Sequence, residues 1–479
     1  MAESSLRNKT KKGLYWSFFN QFSTYAMQFA VGIVMARLLT PSDYGITAIP
    51  AIFMTVATVF IESGFNSALV RKQNLTDKDL STAFLYCISI GLAMYLILFM
   101  CAPFIANIYD NPILTPLVRI TALSFLWSPL TTPQRVILQR DLDFKTIAKI
   151  SFSANVLSGI LGIVIAYLGY GLWALVASTL ASSLLKFIMM WCVVKWIPKQ
   201  GWSKDSFRYL WGYGNKLVVT NLINTLYANV GPLILGKYGG ANDLGYYNRA
   251  KGYAALPSSN IVGVLTQVTF PVLSKLQDNN EILSHNYRKM IRVSAYIVFP
   301  IMLLLAALAR PLVITLITEK WEPCILLLQI LCIVFMWQPI QILNLNVLQV
   351  KGRTDLSLKL ELIKKPVSLT IILIGLLKFG VVGFCVADFV SSMFALIINT
   401  YYTGKIIHVG YWRQMGDIIP ILIMSIVMFG LVISVNSFIP DYILQIIVGG
   451  VIGGISYLGL SVLFKFEELK EVKYLLSRK

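Results

Sequence analysis

Gly236-Lys237-Tyr238-Gly239-Gly240-Ala241-Asn242-Asp243-Leu244-Gly245 is prefigured 200 positions upstream by Ala36-Arg37-Leu38-Leu39-Thr40-Pro41-Ser42-Asp43-Tyr44-Gly45. A cation (Arg37, Lys237), an acid (Asp43, Asp243) and a glycine (Gly45, Gly245) superpose without a gap. Each stretch closes one apolar run and opens the next. Working outward, Phe125-Leu126-Trp127-Ser128-Pro129 answers Phe335-Met336-Trp337-Gln338-Pro339, and Ile137-Leu138-Gln139 answers Val347-Leu348-Gln349, both at offset 210. Gly171 with Ser182-Ser183 answers Gly380 with Ser391-Ser392 at offset 209. Four blocks in one order at nearly constant spacing mark a duplicated unit.

The solvent of that unit follows from composition. The 479 residues are 57% hydrophobic and 13% charged, with a mean hydropathy of +0.70. So much apolar surface cannot be hidden from water by a chain of this length, which places it in a bilayer. Runs of about 20 apolar residues, enough to cross a hydrocarbon core of about 30 Å, lie near 13–38, 44–70, 81–108, 113–139, 146–168, 172–196, 207–236, 243–274, 286–313, 322–349, 357–378, 380–404, 417–438 and 442–465. The expected fold is an all-α polytopic membrane protein of about fourteen transmembrane helices. It comprises a six-helix bundle over 1–196, a second over 207–405, and two further helices over 417–465.

The net charge of +19 raises the question of nucleic acid. The distribution of the cations argues against it, because roughly 26 sit in one alternating set of short loops and about five in the other. The positive-inside rule then puts both termini in the cytoplasm, and the first run reads as a retained helix rather than a signal peptide. Six cysteines, none in a CxxC pair or beside a histidine, support neither a disulfide frame nor a metal site. His285 and His408 fall at span ends and read as solvated. No phosphate loop of the Walker type is present, so the chain is not expected to hydrolyse ATP. Nor does any loop exceed roughly 15 residues, where an external polymerase or ligase would need space to build a site.

Several motifs carry a family resemblance. Leu38-Leu39-Thr40-Pro41-Ser42-Asp43-Tyr44-Gly45, Gln139-Arg140-Asp141-Leu142-Asp143-Phe144, Leu244-Gly245-Tyr246-Tyr247-Asn248-Arg249-Ala250 with Leu256-Pro257, Phe270-Pro271-Val272-Leu273-Ser274-Lys275-Leu276-Gln277-Asp278 and Glu319-Lys320-Trp321 resemble the polysaccharide flippase family. This is the lipopolysaccharide-biosynthesis and colanic-acid-exporter branch of the multidrug/oligosaccharidyl-lipid/polysaccharide exporter superfamily. The likeness runs from about residue 5 to about residue 405. It implies a V-shaped pair of six-helix bundles around a central cavity in the bacterial cytoplasmic membrane. It further implies a transporter, not an enzyme, that turns an undecaprenyl-pyrophosphate-linked oligosaccharide to the outer leaflet by alternating access. Its partners would be that lipid-linked substrate, membrane lipids and other polysaccharide assembly proteins. By likeness to the fourteen-helix lipid II flippases, the last two spans would form a groove for the polyprenyl tail. A cation-coupled multidrug antiporter of the same superfamily, or a membrane glycan polymerase or ligase, is the alternative.

Charges inside the spans are the candidate site, since each costs at least about 2.5–3.5 kcal/mol to insert. Arg119, Lys186, Lys216, Arg249, Lys251, Lys364 and Lys365 face two deep acids, Glu62 and Asp388. Surplus cations suit a pyrophosphate, onto which Arg can fork and to which Lys offers a point charge. Lys186 stands about ten residues from either end of its span, too deep to snorkel. Arg249 sits in the resembling motif, and Lys364-Lys365 precede Pro366, where the helix loosens. For Arg119 and Lys216 an ion pair with Glu62 or Asp388 is the structural alternative. Glu62 and Asp388 are also the candidate coupling sites for Na⁺ or H⁺, no cofactor being otherwise expected. Gln341 and Asn344, three apart on one helix face, are candidate contacts to sugar. Arg292 reads as snorkelling, Lys237 as an anchor capping an outer loop, and Trp173, Trp202, Trp321 and Trp412 as interfacial anchors.

Overall fold

Backbone polar groups in hydrocarbon must be satisfied within their own segment, and all regular structure among the described residues is helical. The computed structural model describes Trp16 and residues 23–471 apart from Ser63, without the side chains of 216, 260, 264–268, 271, 354 and 358. Ten helices among the described residues are long and apolar enough to cross a membrane. The longest, Thr354–Ile407, is two helices joined at Gly380 (φ 64°, ψ −151°). The chain doubles back there: a Cβ on Gly375 would lie 2.5 Å from the Gly383 carbonyl oxygen, and one on Gly383 would lie 2.2 Å from that of Gly375.

Two of the expected spans break at their duplicated Phe-x-Trp-x-Pro motif. In the first copy, α5 (Leu114–Ala122) gives way to two short 3-10 turns, Leu123–Leu126 and Ser128–Thr131, before α6 (Thr132–Arg140). In the second, α13 (Cys324–Met336) passes to α14 (Gln338–Val350) across Trp337. Proline lacks the N–H that would continue the ladder, so Pro129 and Pro339 set the break. Of the expected span 13–38, residues 23–38 are described and are helical, α1.

The chain forms two compact units, Met1–Gly245 and Tyr246–Lys479. In the first, α2 (Pro41–Glu62), α3 (Phe65–Arg71) and α4 (Asp77–Ile108) pack with α5 and α6, and α7 (Phe144–Tyr167) packs along α8 (Trp173–Val193). Helix α9 (Lys204–Tyr238) opens the second repeat in sequence yet packs on α2, α3 and α4. Lys237 of α9 reaches Asp110 at 2.6 Å, and the Tyr109 hydroxyl donates to the Leu233 carbonyl at 3.1 Å. This is the capping contact expected of Lys237. Helix α10 (Gly240–Lys275) begins in the first unit and continues into the second.

The second unit is built on α11 (Asn280–Ala307), against which α13, α14 and α16 (Tyr411–Asn436) pack, with α15 (Thr354–Ile407) beside α13 and α14. Helix α12 (Ala309–Ile317) and α17 (Tyr442–Leu463) complete it. Small residues let α17 approach closely: a Cβ on Gly449 would lie 2.8 Å from Leu308, and one on Gly453 2.7 Å from Leu304. Gly450 and Gly454, a residue further round, meet nothing. Charged contacts fasten the same helices at their other end. Arg288 grips Asp417 with Nε and Nη2 at 2.7 and 2.6 Å, and Arg292 reaches Glu468 at 3.2 Å. Arg292 therefore does not snorkel, as its position in the span suggested, but pairs with the segment that follows α17. Many large apolar side chains stay exposed along the spans, among them Met100 (77%), Phe104 (67%) and Ile455 (68%), which is the face a bilayer covers.

Candidate functional site

Helix α8 presents Thr179, Ser182, Ser183 and Lys186 at helical spacings of three and four, which bring them to one face. The stripe is tied to its neighbours. Ser182 donates to Asn155 Oδ1 of α7 at 3.0 Å, and Trp127 Nε1 of the break donates to Ser183 Oγ at 3.0 Å. Those bonds hold the turn of α8 that carries Lys186. The charge acting on the Lys186 ammonium is the Arg135 guanidinium of α6. No salt bridge among the described residues involves either one. Arg135 is exposed and Lys186 half-buried.

Two like charges on packed helices of a membrane-spanning unit repel, and each carries its own insertion cost. An anion placed between them relieves both penalties, and a phosphate suits the fork of Arg and the point charge of Lys. The second copy does not repeat the pair: at the offsets of the duplication, Arg135 and Lys186 correspond to Leu345 and Ala395. Arg135 is the residue sequence reasoning missed. It lies a turn from the end of its expected span, where a cation passes for a snorkelling one, and only the fold brings α6 to α8.

The described first-unit candidates besides Lys186 have other partners or surroundings. Arg119 donates through Nε to the Phe99 carbonyl at 3.3 Å and lies 4.1 Å over the Phe99 ring, so its partners are a carbonyl and a ring, not an acid. Glu62 is exposed at the end of α2. The Lys216 side chain lies outside the described residues.

In the second unit, two resembling motifs meet at Arg249. Its guanidinium lies 5.5 Å over the Tyr253 ring and 5.6 Å over that of Trp321. Trp321 is fully buried, with the Tyr246 ring edge-on to it at 6.1 Å, so it is a core residue and not the interfacial anchor expected. Lys251 lies 5.5 Å over the Tyr247 ring, and the acid acting on it is Asp388 of α15.

Lys364 and Lys365 come with their own acid. Lys364 Nζ is 2.6 Å from Glu361 and 3.1 Å from Asn399 Oδ1, and Lys365 is 3.7 Å from Glu361. Gln341 donates to Ser392 Oγ at 2.7 Å, joining α14 to α15. Asn344 is fully buried and exchanges two bonds with Gln414 of α16, at 3.0 and 3.1 Å. Its amide therefore joins helices, a use that amides have in membranes.

The described residues thus define a polytopic helical membrane protein with a helix break in each copy of the repeat. The fold has solved counterparts. A lipid II flippase, MurJ, in an inward closed conformation, superposes with a TM-score of 0.75 over 94% of this chain and 98% of that one, at 16% identity. The chain belongs to the polysaccharide biosynthesis protein family, whose model matches residues 34–326. It is 26% identical over 471 residues to the teichuronic acid biosynthesis protein TuaB of Bacillus subtilis (strain 168), covering 96% of both chains. It is 25% identical over 412 residues to the lipopolysaccharide biosynthesis protein WzxC of Escherichia coli (strain K12), covering 86% of this chain and 84% of that relative.

Proposed function

We propose that this protein flips a polyprenyl-pyrophosphate-linked oligosaccharide from the cytoplasmic to the outer leaflet of a bacterial cytoplasmic membrane, for surface polysaccharide synthesis. Both termini lie in the cytoplasm, fourteen helices span the bilayer, and the two repeats alternate access to the substrate. The observation that carries this reading is the hydrogen-bonded stripe of α8 that holds Lys186, with Arg135 on α6 packed against it and no salt bridge to either cation among the described residues. They receive the pyrophosphate, and Arg249 on its aromatic rings is a further contact in the second unit. Asp388, facing Lys251, is the group at which Na⁺ or H⁺ couples. Coupling is not obligatory. Two negative charges moving outward gain roughly 4–5 kcal/mol at 100 mV, at about 2.3 per charge.

The test is reconstitution of the full chain in liposomes with a lipid-linked oligosaccharide on one leaflet, followed by a soluble lectin on the other side. Exposure of the glycan that depends on the protein, without new glycosidic bonds, is the expected result. Exposure at the rate of protein-free liposomes would retire the proposal. Efflux of cationic drugs by the same liposomes would favour the antiporter instead.

A further inference from the structure

At the cation-rich end of the first unit, the loop between α3 and α4 sits over the first turns of α9. Arg71, Lys72, Gln73, Asn74, Tyr209 and Tyr213 line an open pocket there of about 490 Å³. The loop is braced from behind. The Arg140 guanidinium donates to the carbonyls of Leu69 (3.1 Å), Val70 (3.3 Å), Lys72 and Gln73 (3.0 Å). Its carbonyls are thus turned to Arg140, and its cationic side chains meet the rings of α9. The Arg71 guanidinium lies 5.2 Å over the Tyr213 ring and Lys72 Nζ 5.1 Å over that of Tyr209. Both charged heads are in this way fixed on one side of the pocket.

The charges do not cancel. Lys72 pairs at 2.7 Å with the fully buried Asp79, whose other oxygen accepts from the Thr76 amide and hydroxyl. Asp77 Oδ1 accepts from Trp196 Nε1. Arg71 is exposed and makes no salt bridge among the described residues. The helices that carry the pocket are packed by rings: Phe65 stacks on Tyr86 at 4.4 Å and Phe207 on Trp211 at 5.9 Å. Val70, Tyr209, Trp211 and Trp202 are exposed beside it, the composition of an interfacial belt at headgroup depth.

We infer that this pocket binds the phosphate of an anionic phospholipid, with Arg71 as its principal contact and the acyl chains lying along Val70 and Trp211. A basic pocket opening onto an apolar, aromatic flank matches a ligand with a charged head and an apolar body, whereas a soluble phosphate would have no use for that flank. Neither Lys186 nor Arg135 lines it, and the proposal does not depend on the protein being a flippase.

Full-length protein in neutral detergent is titrated with phosphatidylglycerol, with phosphatidylcholine of the same acyl chains, and with inorganic pyrophosphate, and bound lipid is read by native mass spectrometry. Saturable retention of phosphatidylglycerol over phosphatidylcholine is expected. Arg71→Gln weakens it about fivefold, the worth of one cation at a lipid surface. Lys78→Gln, which neutralises an exposed cation of α4 that does not line the pocket, leaves it unchanged. Tyr213→Leu, which keeps the charge but frees the guanidinium, gives a smaller loss and guards against a misfolded Arg71 variant. Equal retention of the two lipids, or equal affinity in wild type and Arg71→Gln, overturns the proposal. So does binding of pyrophosphate that phosphatidylglycerol cannot match.

Discussion

Gly45 and Gly245, aligned by the duplication, lie against each other's helix: a Cβ on Gly45 would fall 1.7 Å from the Ala241 carbonyl oxygen, and one on Gly245 2.0 Å from that of Pro41. The two stretches that announce the repeat in sequence are thus also packed backbone on backbone. Gly45→Ala and Gly245→Ala should each cost at least about 1–3 kcal/mol, the range for inserting a group into a filled space. Thermal melting of the purified variants checks this, with Gly212→Ala, where a Cβ meets nothing, expected to melt as wild type does.

Lys186→Ala and Arg135→Ala separate function from stability. Each removes a charge-assisted contact to phosphate, worth about 1.5–3 kcal/mol, so transport in the lectin assay should fall roughly 10- to 100-fold. Because neither cation makes a salt bridge among the described residues, the melting temperature should hold or rise. A variant that melts early and still transports at the wild-type rate per folded molecule would refute the assignment.

Asn344→Ala should do the opposite. The amide pair with Gln414 is buried, and leaving Gln414 unmatched costs about 1–3 kcal/mol. Transport per folded molecule should change less than twofold; a specific loss of transport at unchanged stability would return Asn344 to the substrate.

Trp321→Ala should be the most damaging single change in the second unit. The side chain is fully buried, and removing a buried Trp costs about 3–5 kcal/mol. It also takes one of the two rings from under Arg249. Low yield of folded protein on size exclusion is the expected readout.

Asp417→Asn tests the fastening of the last two helices. The bidentate bond to Arg288 is partly exposed, so the expected loss is about 1 kcal/mol. It should shrink at high salt, which melting at two ionic strengths would show.

The chain by itself determined its solvent, its helical class, the duplication and the family, because each is written in local runs and in spacing: apolar stretches of membrane length, and motifs such as Phe125-Leu126-Trp127-Ser128-Pro129 that recur at a fixed offset. Even there, the expected spans 113–139 and 322–349 ran through that motif unbroken, and the break is seen only in the folded backbone. Depth along a span could be counted for Lys186, but not what faces it; Arg135 lies on another helix. Trp321 sits at a span end and looked like an anchor until Tyr246 and Arg249 closed over it. Asn344 was chosen as a free amide, and Gln414, 70 residues away, takes it up. Helix α9 begins the second copy in sequence and packs with the first. The physical reason is common to all four. Hydrophobic burial is a property of each residue and can be read along the chain, whereas the partner of a charge, an amide or a ring is set by how distant helices pack.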